Sequence, residues 1–223
     1  MTATKLAGVL AISLMAGACS KGDAPASGKG ADASWAPEEL KSVKGVPATE
    51  IQASLKSQLA GEAPESIDKD QWNHARRLYK IYGDHPLWLS PDGLHGKRTL
   101  SLASAVLQTE QDGMRMDDYP VGPLATAIAG VQESPTPTAE SLARADLILT
   151  ASLAALGEDY LTGQVDPKAY SQSWHIDPQD ERVDSALARA MRNPALTEAL
   201  ATMRPQDDNY SGLRKALDVY QSI

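Results

Sequence analysis

The carboxylates are the residues of this chain that most suggest chemistry. Asp146 directly precedes Leu147, Ile148 and Leu149, and Thr150 follows one helical turn later on the same face. A buried carboxylate without a partner is strongly unfavourable, so Asp146 must be solvated, neutral or bonded. Two roles fit it: a structural carboxylate bonding a neighbouring helix end or loop backbone, or a polar group lining a binding cleft. Glu110 and Glu158 are the helical acids available to a glycan-cleaving enzyme, which needs a positioned catalytic carboxyl. Glu158 and its neighbour Asp159 point in different directions on a helix and read as a solvated face. Trp88, in the short linker DHPLWLSPDGL, and Tyr170 and Trp174, in the stretch QVDPKAYSQSWHIDP, are candidate contacts for a ligand or partner. The competing reading for a tryptophan in such a place is a plug in the core.

Other chemistry is missing from the sequence. It contains no G-x-S-x-G, P-loop, G-x-G-x-x-G or H-E-x-x-H motif. His74, His85, His95 and His175 have no metal-ligand spacing, so neither a metal nor a cofactor is expected. The net charge of −8 and the pI near 5.0 give no basic footprint for nucleic acid.

The single cysteine, Cys19, is read by its position. Lys5 and an apolar run from Leu6 to Ala18 precede it, ending in the small residues Ala16, Gly17 and Ala18. The run is short for a membrane span and suits a signal-peptide core. The order of apolar run, small residues, Cys and polar linker resembles a bacterial lipobox. There the peptide is cut before the Cys and the thiol carries lipid. Ala16 stands where that pattern usually has Leu. Ser20, rather than Asp, after the Cys resembles the pattern for export to the outer membrane. The expected order is a signal peptide over 1–18, a tether over 19–34 rich in Gly, Ala and Ser, a peripheral helical arm over 35–64, and a helical domain over 65–223.

These residues need helices to position them. Leu142, Ala145, Leu149, Leu153, Leu156 and Tyr160 repeat at steps of three and four, while Leu147 and Ile148 lie off that stripe. The stretch is thus apolar nearly all round, as in a helix buried among others, with Thr138 as N-cap and Gly163 beyond its end. Before it, the pattern predicts helices from Pro37 (PEELKSV), from Thr49 to Gly61, from Lys69 to Tyr82 behind an Asp68/Gln71 capping box, from Lys97 to Asp112 with Leu100, Ala103 and Leu107 inward, and around Leu124, Ile128 and Val131. After it come helices with Val183, Leu187 and Met191 inside, then Leu196, Leu200 and Met203, then Tyr210, Leu213, Leu217 and Tyr220. Ser90-Pro91-Asp92-Gly93 has the order of a type I turn, and strand signals are scarce. The expected fold is all-α, an irregular bundle of about seven to nine helices around a central buried helix over about 139–162.

Four segments also share their order and spacing with a known family: LYKIYGDHPLW, GMRMDDY, DLILTASLAALGEDYLTGQVDP and MRPQDDNYSGLRKALDVY. Together they resemble the N-terminal scaffold domain of the large periplasmic L,D-transpeptidases, over about Ser66 to Ile223. The resemblance implies a helical, non-catalytic domain in which Asp146, Thr150, Tyr160, Gly163, Trp88 and Tyr210 are structural. In that family a peptidoglycan-binding module and a catalytic domain follow, the latter with its Cys in a Ser-x-Gly-Cys setting. No such motif occurs here, so no catalytic residue carries over. The expected function is a lipid-anchored scaffold in peptidoglycan remodelling, facing the periplasm, with Cys19 as lipid attachment and peptidoglycan or a transpeptidase catalytic domain as partner. The alternatives are the leading portion of an L,D-transpeptidase whose catalytic domain lies beyond this chain, and a helical glycan hydrolase.

Overall fold

A computed structural model describes residues 35–171, 173, 175 and 182–223, without the side chain of Tyr170. The expectations placed on 1–34, Cys19 included, and on Trp174 lie outside the described residues. The described chain is all-α but for two small antiparallel hairpins. Strands β1 (Ser42–Val43) and β2 (Val46–Pro47) lead into α1 (Ala48–Ala60), which a loop joins to α2 (Lys69–Ile81). Strands β3 (Leu89–Ser90) and β4 (Gly93–Leu94) precede α3 (Gly96–Leu107) and α4 (Val121–Glu133). Then come the central α5 (Ala139–Thr162), a short α6 (Pro167–Tyr170), α7 (Val183–Arg192), α8 (Leu196–Ala201) and α9 (Asp208–Gln221).

Helix α5 forms as its sequence predicts. Thr138 and Ser141 cap each other reciprocally, and Gly163 follows the last turn at φ +83°. Leu142, Leu149, Leu153 and Leu156 are fully buried, and α1, α2, α3, α4 and α7 all pack on this helix. Polar residues on it are satisfied within the helix where no neighbour offers a partner: the Ser152 hydroxyl donates to the Ile148 carbonyl at 2.8 Å. Gly157 leaves room for side chains of α7 and of the segment after α8. A Cβ there would lie 2.5 Å from Leu187 Cδ2 and 3.0 Å from Met203 Cε.

Several expected elements are corrected. The PEELKSV helix is a 3-10 turn at Pro37–Glu39 followed by the first hairpin, because Lys44 and Gly45 both take positive φ (+47° and +86°) and close a two-residue turn between β1 and β2. Lys44 then reaches the end of α4, where its ammonium donates to the carbonyls of Val131 at 2.6 Å and Ser134 at 2.9 Å. Helix α1 starts at Ala48 and no side chain caps it, so Thr49 lies inside it. Residues 35–64 do not stand apart as an arm. Ile51 and Leu55 are fully buried in the common core, and the Trp35 ring meets Tyr82 edge-on and donates its N–H to the Leu87 carbonyl.

Helix α3 faces the other way from expectation. Leu100 and Leu107 are exposed and Ala103 only half-buried, while Leu102, Ala105 and Val106 fill the core beside a buried Arg98. The Arg98 guanidinium donates to the carbonyls of Met191 and Asn193 at the end of α7 and stacks on the Trp35 ring, so its charge is used where the pattern implied a polar outer face. Helix α9 buries none of its residues. Pro167–Tyr170 forms one helical turn, with Asp166 accepting from the Lys168 amide.

Candidate functional site

Polar side chains from several elements meet on α5, and the first meeting point is Asp146. This side chain lies fully buried on the face of α5 that meets α2 and the segment leading to β3. Oδ1 accepts from the Tyr79 hydroxyl at 2.6 Å and the Leu87 amide at 2.9 Å, and Oδ2 accepts from the Trp88 amide at 2.8 Å. Thr150, one turn later, accepts from the Trp88 indole N–H at 3.0 Å and lies 2.8 Å from the Tyr79 oxygen. The protons can be placed. Tyr79 gives its proton to the carboxylate, so the Thr150 hydroxyl donates either to the Asp146 carbonyl at 2.9 Å or to the Tyr79 oxygen.

Burial pushes the Asp146 carboxyl up to about 6, while the Leu87 amide, the Tyr79 hydroxyl and the Trp88 amide pull it down. It is therefore ionised at neutral pH and meets three donors. Burial, followed by the neighbouring carboxylate, raises the Tyr79 phenol well above its ordinary range and keeps it a donor. Pro86, Leu87 and Trp88 cannot form a helix that satisfies these amides, so Asp146 satisfies them instead. Asp146 and Trp88 were candidate ligand contacts. Both are wholly buried, so neither offers a surface to a ligand, and their bonds are those of a structural node. Tyr170 sits at the end of α6.

The second meeting point was not foreseen. Asp112, on a 3-10 turn after α3, pairs with Arg204 Nε at 2.8 Å and Arg214 Nε at 2.6 Å and accepts from the Tyr210 hydroxyl at 2.8 Å. Arg204 lies over the Tyr160 ring, 4.4 Å from its centroid, and donates to its hydroxyl at 2.5 Å. Burial pushes both Tyr160 and Tyr210 up to about 12. The third is the pair of Tyr119, whose hydroxyl donates to Asp159 at 2.6 Å, and Gln164, whose side chain accepts from the Arg115 amide at 2.8 Å. Only the residue types within the four family-like segments hinted at these partners. Asp112 and Arg204 are too far apart in sequence for any periodicity to pair them.

The acids considered for glycan cleavage lie on different elements. Glu110 lies exposed on the 3-10 turn, where its carbonyl accepts from Gln221 of α9. Glu158 is half-buried, 4.0 Å from His74 Nε2, and burial followed by the charge of Asp159 raises its carboxyl. His74 Nδ1 lies 2.7 Å from Arg77 Nη2, which can only donate, so the ring is neutral with its proton on Nε2. Burial and Arg77 accordingly lower its pKa. Among the described residues, no group of three or more His, Cys, Asp or Glu side chains could hold a metal ion, and no helix is long and apolar enough to cross a membrane.

In comparisons with known proteins, neither a curated protein nor a solved structure matches this chain. A family model does, that of the Scaffold domain, over residues 73–217. The matched span runs from within α2 into α9 and contains all three meeting points on α5. With well over half its length in that span, the chain belongs to the Scaffold domain family.

Proposed function

We propose that this scaffold domain is lipid-anchored through Cys19 in the cell envelope, faces the periplasm, and serves peptidoglycan remodelling without catalysing it. The observation that carries the reading is where the polar groups of the four family-like segments are used. Tyr79 and Trp88 from the first, Tyr119 from the second and Arg204 and Tyr210 from the fourth all bond, directly or through Asp112, to the third segment or its neighbours. Groups committed to holding helices together are not free to transform a substrate. The link to the wall rests on the resemblance of those segments to the L,D-transpeptidase scaffold. The lipid anchor rests on the lipobox-like order before Cys19.

The exposed Leu213, Val219 and Tyr220 of α9 favour a protein partner over glycan alone. That partner is an L,D-transpeptidase catalytic domain, on a separate chain or, in the second reading, following this one. In-cell photo-crosslinking from position 213 tests the proposal. The expected adduct joins the domain to a polypeptide carrying a Ser-x-Gly-Cys motif in the membrane fraction, and Cys19→Ala moves the domain out of that fraction and removes the adduct. A Cys19→Ala protein that stays in the membrane fraction would overturn the anchor. Absence of such a polypeptide from the adducts would overturn the partner.

A further inference from the structure

Helix α9 turns one stripe to the body. Tyr210 and Arg214 reach Asp112, Leu217 packs over Gly113, and Gln221 donates to the Glu110 carbonyl at 3.1 Å. These four residues repeat at steps of three and four, so they share one face. The next face round the helix is turned to solvent and carries Gly212, Leu213, Ala216, Val219 and Tyr220. Leu213 is 69% exposed and Tyr220 76%, and open space surrounds Gly212. The order of residues on this face is symmetric about its middle. Leu213 and Val219 lie three residues either side of Ala216, and Gly212 and Tyr220 lie four. A two-fold axis through Ala216 therefore lays a second copy of the helix antiparallel on the first with these residues matched in pairs. Leu213 meets Val219, the Tyr220 ring covers the bare backbone of Gly212, and Ala216 meets itself, which lets the two axes come close. The charges agree with the same axis. Lys215 comes level, to within one residue, with Asp218 of the second copy, and neither side chain is bonded elsewhere among the described residues. A parallel pair would set Lys215 beside Lys215 and leave Gly212 facing Gly212 across a gap.

We propose that α9 pairs antiparallel with α9 of a second copy of this chain through that face. The pair covers the surface that the transpeptidase catalytic domain would take, so the dimer is the unengaged state of that surface. In that respect the inference rests on the reading above. Self-pairing itself needs no partner, so the purified chain tests it separately.

The test uses the full chain with Cys19→Ala, which removes its one cysteine, and places new cysteines on α9. A single pair of helices is a small interface, so the chain is oxidised at ~200 µM. Ala216→Cys is expected to give a disulfide-linked dimer, because the axis brings the two positions within the ~4.4–6.8 Å Cα span of a disulfide. Leu213→Cys alone and Val219→Cys alone should not link, since like positions are then offset by ~9 Å along the helices. A mixture of those two variants should link one to the other. Gly212→Gln added to Ala216→Cys fills the space for the Tyr220 ring and should slow the linkage about tenfold. Because Gln favours a helix more than Gly does, that loss cannot come from unfolding α9. No dimer from Ala216→Cys would overturn self-pairing and leave the catalytic-domain reading standing, which the in-cell adduct decides. Leu213→Cys linking as fast as Ala216→Cys, or linkage undiminished by Gly212→Gln, would overturn self-pairing too.

Discussion

Replacing Asp146 with alanine is expected to cost about 3–5 kcal/mol, the scale for removing one partner of a buried charged network. Two backbone amides and the Tyr79 hydroxyl would then lie buried without an acceptor. Asp146→Asn should be milder, because it keeps one oxygen but turns an N–H toward a backbone N–H. Thr150→Val removes an acceptor for the Trp88 indole and should cost about 1–2 kcal/mol. Urea unfolding followed by circular dichroism measures all three.

The same node makes a signed prediction in pH. A carboxyl raised to about 6 by burial binds its proton more tightly in the folded than in the unfolded chain. Its contribution is fully present below the unfolded value of ~3.9 and is lost as pH rises through about 6, in total about 3 kcal/mol. Glu158 and Asp159, also raised by burial, act with the same sign. His74 and His95, lowered by burial, act oppositely: their contribution is present above ~6.5 and lost as pH falls through their folded values. The difference between wild type and Asp146→Asn removes these shared terms. That gap should widen by about 2 kcal/mol between pH 7.5 and 4.5. A gap that narrows would mean that the three donors outweigh burial.

Asp112→Ala is expected to release α9 while the core stays folded. Helix α9 buries no residue, and a helix of its 14 residues is marginal on its own. Its attachment therefore depends on the Asp112 carboxylate, which is 2% exposed and joins Tyr210 and Arg214 of α9 to Arg204 and the body. The two arginines are partly solvated, so the cost is about 2–3 kcal/mol, below that of a wholly buried pair. Hydrogen exchange should show protection lost over 208–221 and kept over α5. A uniform loss across both would mean that the hub supports the whole fold rather than the last helix.

Much of this arrangement was legible in the sequence where local patterns decide it. The Asp68/Gln71 box starts α2, and the apolar run with its Thr138 cap makes α5. Legibility failed where two stripes compete. On α3, Leu100 and Leu107 repeat as regularly as Leu102 and Val106. The choice between them was made by Arg98, which turns inward to the end of α7. It failed again where a stripe is not covered: Leu213 and Tyr220 of α9 have the spacing of a core face but remain exposed. The β1–β2 hairpin was missed because its strands are two residues long and two positive φ angles make its turn. At the site, Asp146 stood out because a carboxylate among leucines needs a partner. Its donors, at Tyr79, Leu87 and Trp88, come from folding and not from spacing.

The central claim is that the domain supports the wall without chemistry of its own. Sedimentation of the purified full chain with intact peptidoglycan sacculi, with analysis of the soluble muropeptides, tests it most directly. The expected result is protein in the pellet and a supernatant identical to the protein-free blank. Released muropeptides would make it an enzyme and contradict the claim, whereas protein left in the supernatant with no muropeptides released would mean that the domain reaches the wall only through its catalytic-domain partner.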